Sequence, residues 1–248
     1  MAEERKVARL FPFWFKVVDF FYPRYTVEGL ENLPDAPTMI IGNHAQIHGP
    51  LCVQFNLPDN AFTWCAAEVK DIKEAQPYAY RDFWSGKPRS VRWLFKGISY
   101  VVAPLLAYVH KNARTIGVYH DHRVMTTFRE TIAKLEENRP IVVFPEKAEP
   151  NNGILCRFQE GFVDTAKLYY RRTGKKLNFV PMYVAPSLKK IVLGKPVEYN
   201  EKLSMEEERH RICEEMTAAI TQMALNLPRH TVTPYLNVPK KDYPQNIL

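Results

Sequence analysis

Residues 38–50 read TMIIGNHAQIHGP, an apolar run that leads into Asn43-His44 and then reaches Pro50. A short apolar run that is bounded by turn residues is typical of a strand buried on both faces. It predicts a strand over 38–42, and the proline predicts a helix that begins at Pro50 and continues to Leu57. The strand end then holds His44 rigidly, and this position suits a general base.

Apolar runs and helical stripes alternate along the rest of the chain. The predicted strands cover 25–30, 140–145, 178–185 and 190–195, and the predicted helices cover 123–138, 158–170 and 205–225. This alternation predicts an α/β fold: a single domain with a mostly parallel twisted sheet and helices on both faces. We expect an N-terminal aromatic and basic segment over 1–24, the α/β domain over 25–227 and a Pro-containing tail over 228–248.

The composition is that of a folded protein with anionic partners. Hydrophobic residues make up 46% and charged residues 25%, and the net charge is +7. Nucleic acid and an anionic lipid surface are both candidate partners, but no helix-turn-helix or zinc-finger pattern occurs. The four cysteines form no CxxC pair and no Cys/His cluster with zinc spacing, so we expect free thiols and no metal site.

Two aromatic-rich stretches predict contact with a membrane surface. Residues 10–22 (LFPFWFKVVDFFY) follow basic residues, and residues 98–109 follow several cations and contain Pro104. Both are too short to span a bilayer, so each would lie in the headgroup layer. A helix packed on the protein's own core is the alternative for each. Because two glutamates precede the first run, we expect no secretory signal and a peripheral protein on the cytoplasmic side of the membrane.

The order of the motifs resembles that of the phospholipid/glycerol acyltransferase family, whose best-known members acylate lysophosphatidic acid. Residues 27–34 (VEGLENLP) are similar to its opening strand and turn, and residues 158–161 are similar to an FxxG stretch that it carries later. Four blocks follow the family's order: Asn43-His44 for the first, Arg123 for the second, Phe144-Pro145-Glu146 for the third, and residues 180–183 (VPMY) for the fourth. The resemblance covers residues 25 to 195.

The resemblance implies an O-acyltransferase of phospholipid biosynthesis. His44 would take the proton from a hydroxyl of a lysophospholipid or related glycerolipid, and that hydroxyl would attack an acyl thioester. Coenzyme A or an acyl carrier protein would carry the acyl group as a co-substrate, and no cofactor is implied. Substrate binding is implied for the remaining block residues and for two nearby cations: Asn43, Arg123, Phe144, Pro145, Glu146, Lys147 and Arg157.

The first block departs from the family at one position. Gly49 stands where the family has an aspartate, so the carboxylate that would orient His44 is missing from this block. Loss of such a carboxylate in other enzymes has lowered turnover by on the order of 10⁴-fold. His48 is one candidate replacement, as the acceptor of a hydrogen bond from His44. A carboxylate from elsewhere, Glu146 or Glu68, is the other.

The third block departs at two positions. The family reads FPEGTR, whereas here Lys147 replaces the glycine and Glu149 stands at the arginine. A carboxylate in place of a guanidinium repels a phosphate, although Lys147 or Arg157 could compensate. This departure predicts an acceptor without a phosphomonoester.

Three function classes are compatible with these residues. The first, which we prefer, is an active O-acyltransferase with an unusual acceptor, because Asn43-His44 and Phe144-Pro145-Glu146 are intact. The second is a non-catalytic lipid- or acyl-carrier-binding protein of the same fold, which Gly49 and Glu149 favour. The third, a basic nucleic-acid-binding protein, has no motif in its support.

Overall fold

A computed structural model of the chain describes residues 20, 22–46, 48–57, 60–84, 88–236 and 238–247. Nearly all of the N-terminal segment predicted over 1–24 to contact the membrane therefore lies outside the described residues. The chain divides into a larger unit, Pro23–Phe62 with Phe128–Leu248, and a smaller unit, Met1–Tyr22 with Thr63–Thr127. The division at residues 24 and 227 stays a prediction.

The described residues form ten strands and six α-helices. The strands are β1 Thr26–Glu28, β2 Thr38–Gly42, β3 Phe62–Ala66, β4 Thr115–Val118, β5 Ile141–Val143, β6 Glu146–Pro150, β7 Cys156–Phe158, β8 Asn178–Ala185, β9 Lys190–Leu193 and β10 Val197–Glu198. The helices are α1 His48–Asn56, α2 Ile72–Ala79, α3 Arg92–Asn112, α4 Val124–Glu136, α5 Asp164–Thr173 and α6 Met205–Asn226.

A mixed sheet with the strand order β1-β9-β8-β2-β5 forms the centre of the larger unit. β2 pairs in parallel with β5 and β8, β1 pairs in parallel with β9, and β8 pairs antiparallel with β9 and β10. All five residues of β2 and all three of β5 are buried, as expected for strands covered on both faces. The predicted α/β fold with a mostly parallel sheet is confirmed.

The smaller unit contains the parallel pair β3–β4 and the helix pair α2–α3. Three small side chains, Ala75 of α2 and Ala103 and Ala107 of α3, form a buried cluster that lets the two helices approach closely. Gln76 donates a hydrogen bond of 2.7 Å to the hydroxyl of Ser99 across the same contact. Residues 98–109 therefore belong to a longer helix whose one face is packed, and Pro104 lies within that helix.

Helix α1 begins two residues earlier than the sequence predicts. It starts at His48, so Gly49 is its second residue and Pro50, the predicted first residue, is its third. The proline is tolerated there because the first four backbone N–H groups of a helix have no partner within the helix. Gly49 therefore lies inside the first turn, next to the backbone of His44.

Candidate functional site

Parallel pairing brings the first and third sequence blocks together. Ile41 of β2 lies opposite Val143 of β5, so both chains leave the sheet at the same edge. Asn43-His44 and Phe144-Pro145-Glu146 directly follow these two strand ends. The carboxyl edge of parallel strands is where α/β proteins bind their ligands.

Asn43 joins this strand end to β8. Its side-chain amide donates to the carbonyl oxygen of Val184 over 3.0 Å and accepts from the Val184 N–H over 2.7 Å. The backbone pairing of β2 with β8 ends at Gly42 and Met182, so the Asn43 amide extends that ladder with a side chain. Because Asn43 is almost completely buried, these two bonds hold the residue that precedes His44 in place.

The backbone of His44 is bound on both sides. Its N–H donates a hydrogen bond of 2.7 Å to Oε2 of Glu146, and its carbonyl accepts one of 3.1 Å from the Gly49 N–H. Glu146 was expected beside His44 as a partner for the imidazole. The carboxylate is beside His44, and its bond goes to the backbone.

Glu146 is a buried carboxylate held by two backbone donors. Its Oε1 accepts from the Cys156 N–H over 2.9 Å while its Oε2 accepts from His44, and its exposed fraction is 3%. Burial raises the pKa of Glu146 to about 7, against the lowering effect of the two N–H bonds. Burial, and then the charge of Glu146, also raise the pKa of the Cys156 thiol and of the Tyr183 phenol. Protonation of Glu146 is thus balanced near neutral pH within the site.

The turn after His44 has an unusual backbone. Ala45 and Gln46 have φ values of 44° and 55°, in the left-handed region that residues with a Cβ rarely adopt. Strain of this kind concentrates at functional sites, where the surrounding contacts hold it. Here the hydrogen bond of 3.1 Å from the Gly49 N–H to the His44 carbonyl is such a contact. A Cβ at position 49 would overlap that carbonyl oxygen and lie 3.0 Å from the carbonyl carbon. A side chain at position 49 would therefore fit only if the backbone shifted.

Two aromatic rings flank the half-buried imidazole of His44. The ring of Phe144 lies 5.4 Å away at 68°, and the ring of Tyr235 lies 5.6 Å away at 81°, both measured between ring centroids. Both contacts have edge-to-face geometry, which is favoured for aromatic pairs. The orientation of the His44 ring is therefore influenced by residues from two distant parts of the sequence.

Tyr235 belongs to a C-terminal segment, described over residues 228–236 and 238–247, that is anchored beside the site. Gln46 donates to the hydroxyl of Tyr243 over 2.8 Å, which connects the strained turn to this segment. The His230 ring bonds through Nε2 to the Tyr183 hydroxyl over 2.8 Å. The backbone N–H of His230 donates to Oδ1 of Asn246 over 2.7 Å. The Asn246 amide in turn donates to the Ala224 carbonyl at the end of α6.

Sequence reasoning missed Tyr235, Tyr243 and His230 as residues near the site. Residues 228–248 contain four prolines, at positions 228, 234, 239 and 244, and no periodicity, so the sequence predicts only a Pro-containing tail there. The aromatic and histidine residues between the prolines were the available signal, since buried polar rings require specific partners.

The two cations near the third block, Lys147 and Arg157, differ in their surroundings. Lys147 forms a 2.8 Å ion pair with Glu149, and this pairing, followed by the nearby charge of Arg157, lowers the pKa of the Glu149 carboxyl. Arg157 itself is exposed on β7. The Glu149 carboxylate is thus paired with the lysine two residues before it.

Arg123 and Glu68 belong to the smaller unit, whereas His44 and Glu146 belong to the larger one. The Arg123 guanidinium binds both carboxylate oxygens of Asp121 and lies 4.5 Å from the centroid of the Tyr119 ring. The hydrogen bonds from Arg123 lower the pKa of Asp121 to about 2. Arg123 is therefore already paired within its own unit.

His48 lies exposed at the start of α1, and its N–H donates to the Ala45 carbonyl over 3.1 Å. Partial desolvation, and then the positive charge of Lys240, lower the pKa of His48. Both effects favour the neutral imidazole, the form that can accept a hydrogen bond. Its predicted role beside His44 stays a prediction.

Comparison with solved structures finds a distant likeness. The chain is similar to the crystal structure of the 1-acyl-sn-glycerophosphate (LPA) acyltransferase PlsC from Thermotoga maritima, with a TM-score of 0.49 and 17% identity. The match covers 90% of this chain and 80% of that chain. At this similarity it assigns no activity. No protein-family model and no curated protein matches the chain.

Two further observations concern the described residues alone. Across them, no group of three or more His, Cys, Asp or Glu side chains is placed to hold a metal ion. No helix within the described ranges is both long enough and apolar enough to cross a membrane.

Proposed function

We propose that this protein is an O-acyltransferase that transfers a fatty acyl group from a thioester to a hydroxyl of a lysophospholipid or related glycerolipid. One observation carries the proposal: the His44 N–H binds Glu146 over 2.7 Å, across 102 residues of sequence. This bond joins the Asn-His and Phe-Pro-Glu blocks at the carboxyl edge of a parallel sheet. The order of those blocks, as read from the sequence, is the further support.

In the proposed reaction His44 acts as the general base. Its imidazole removes the proton from the acceptor hydroxyl as the oxygen attacks the thioester carbonyl. The tetrahedral intermediate collapses with loss of the C–S bond, and the leaving thiolate takes the proton from the imidazolium. The His44 backbone is held by its N–H bond to the Glu146 carboxylate and by the bond that its carbonyl accepts from Gly49. The rings of Phe144 and Tyr235 limit the orientations of the imidazole.

The charges beside Glu146 favour an acceptor without a phosphomonoester. Lys147 is paired with Glu149 over 2.8 Å, so the cation closest in sequence to Glu146 is already neutralised. A phosphate would have to compete with that carboxylate and would be repelled by it. The proposed site of the reaction is an anionic membrane surface, because the proposed acceptor is a lipid and the net charge is +7.

The test offers purified protein a labelled acyl-coenzyme A with lysophosphatidic acid, lysophosphatidylcholine or monoacylglycerol as the acceptor. We expect product with an acceptor that lacks a phosphomonoester, and a loss of on the order of a hundredfold or more in His44→Ala. His210→Ala is the matched control, since His210 is exposed on α6 and pairs with Glu214. Equal product from wild type and His44→Ala would remove the proposal.

A second candidate is a lipid- or acyl-carrier-binding protein of the same fold without turnover. The packing of Gly49 against the His44 carbonyl favours it, because this contact excludes the family's carboxylate. Saturable binding of a lysolipid or an acyl carrier protein, with no product from any acceptor, would support this candidate. Turnover that depends on His44 would exclude it.

A further inference from the structure

Helix α3 of the smaller unit exposes a continuous uncharged face. Trp93 is 74% exposed, Tyr100 62% and Val101 78%, and Leu94 is exposed beside them. Gly97 and Pro104 are also exposed. At 3.6 residues per turn these six positions share one side of the helix, over about 17 Å of its length. Large apolar side chains in one exposed patch indicate an interaction surface.

A neighbouring side of α3 is the packed one. Ser99, Ala103 and Ala107 are buried, and the two alanines form a cluster with Ala75 of α2. The exposed side is thus left over after the helix has packed against the described residues of its own unit. Its composition is the reverse of an ordinary surface helix, which places charged and polar residues toward solvent.

The stretch of sequence around this face contains cations and no acidic residue. Residues 83–120 contain no Asp or Glu but six Lys or Arg residues: Lys87, Arg89, Arg92, Lys96, Lys111 and Arg114. Of these, Arg89, Arg92, Lys96 and Lys111 are exposed. Arg92 and Lys96 lie beside the uncharged face at its N-terminal end, where long aliphatic stems can follow a lipid surface while the charges reach the headgroups.

We propose that the exposed face of α3 docks on an anionic lipid bilayer, with Trp93, Tyr100 and Val101 in the headgroup layer and Arg92 and Lys96 against lipid phosphates. A helix of this kind lies in the plane of the interface and does not cross it. Aromatic rings with a polar edge suit that layer. The inference rests on the membrane association proposed above and identifies the face of the protein that contacts the membrane. It does not depend on catalysis.

The test is co-sedimentation of the full chain with vesicles of phosphatidylcholine, alone or mixed with phosphatidylglycerol. We expect binding to the mixed vesicles and a loss of at least about tenfold in affinity for the double variant Trp93→Gln, Val101→Gln. Removing both charges in Arg92→Gln, Lys96→Gln lowers affinity on the order of tenfold, for the mixed vesicles only. Met125→Gln is the control, because Met125 is equally apolar and 55% exposed in the same unit.

Three results would overturn the proposal. The first is unchanged vesicle binding by the Trp93 and Val101 double variant. The second is a large fall in its thermal stability, which would show that residues of this chain cover the face. The third is a wild-type dimer, seen by light scattering, that the double variant dissociates, which would assign the face to a second copy. The co-sedimentation assay contains no acyl donor or acceptor, so its result is independent of catalysis. A protein that binds vesicles but gives no product in the acyl-transfer assay would remove only the proposed reaction.

Discussion

Gly49 lies so close to the carbonyl group of His44 that a Cβ at position 49 would overlap the oxygen atom. Overpacking against backbone atoms costs about 1–3 kcal/mol, because backbone cannot move aside as the end of a side chain can. We therefore expect both Gly49→Ala and Gly49→Asp to lower the free energy of unfolding by about this amount, measured in urea. We do not expect the new carboxylate of Gly49→Asp to form a His-Asp pair with the His44 imidazole.

Gly97→Ala is the matched control for that experiment. A Cβ at position 97 meets no atom within 4 Å, and Gly97 lies inside α3. The alanine should stabilise the protein by up to about 1 kcal/mol through its higher helix propensity. If Gly49→Asp instead raised both stability and turnover, the turn after His44 would be free to rearrange. The close approach of Gly49 to the His44 carbonyl would then not exclude a side chain at position 49.

Glu146 makes stability depend on pH. Its pKa is about 7 in the folded protein against an ordinary value of 4.5, so between these values the folded state binds more protons than the unfolded state. The free energy of unfolding should therefore fall by about 3 kcal/mol as pH rises through this window, from its full value below pH 4.5. Glu146→Gln should lack this slope, so its deficit relative to wild type shrinks between pH 5 and pH 8.

The comparison of wild type with Glu146→Gln also measures how much the free energy of unfolding falls when one acceptor oxygen is lost. Glutamine offers one acceptor oxygen to the two N–H groups of His44 and Cys156, so Glu146→Gln should be less stable than wild type at pH 5 by about 1–3 kcal/mol. Glu149→Gln is the control, since Lys147 lowers the pKa of this exposed carboxyl, and it should leave the slope in place. Identical pH profiles for wild type and Glu146→Gln would contradict the burial of a titrating carboxyl.

Asn43→Ala should destabilise the protein even though it removes few atoms. The change leaves both the N–H and the carbonyl of Val184 without their side-chain partner in a buried place, at a cost of about 2–4 kcal/mol. Asn226→Ala is the control, because Asn226 is exposed and its side chain accepts a hydrogen bond from exposed Gln222. Its effect should stay within about 0.5 kcal/mol. Equal losses in the two variants would argue against the Asn43 bonds.

Tyr235 is expected to act as a positioning residue for His44. Tyr235→Leu removes the ring 5.6 Å from the imidazole and should lower kcat about tenfold or more, with a stability loss of about 1 kcal/mol. Tyr235→Phe keeps the ring and should retain most of the turnover. A shift of the His44 imidazole resonances in the Leu variant, absent from the Phe variant, separates positioning from a general loss of stability. Equal turnover in both variants would end this assignment.

Much of the fold could be predicted from local patterns. The strands over 38–42 and 178–185 were predicted with the bounds that the structure has, because continuous apolar runs are buried on both faces. The end of such a strand also located Asn43 and His44. The start of α1 was misplaced by two residues, since Pro50 is acceptable anywhere in a first turn.

The sequence by itself determined the α/β alternation and the residues that leave the sheet at its carboxyl edge, since both follow from short-range hydrophobic patterning. Only the tertiary structure decided that Glu146 binds the His44 backbone, that Gly49 leaves no room for a side chain and that Tyr235 packs on the imidazole. It also decided which side of α3 is covered, because that helix is apolar over most of its circumference. These contacts join residues that are distant in sequence, and only the closed sheet and its packed helices bring them within bonding distance.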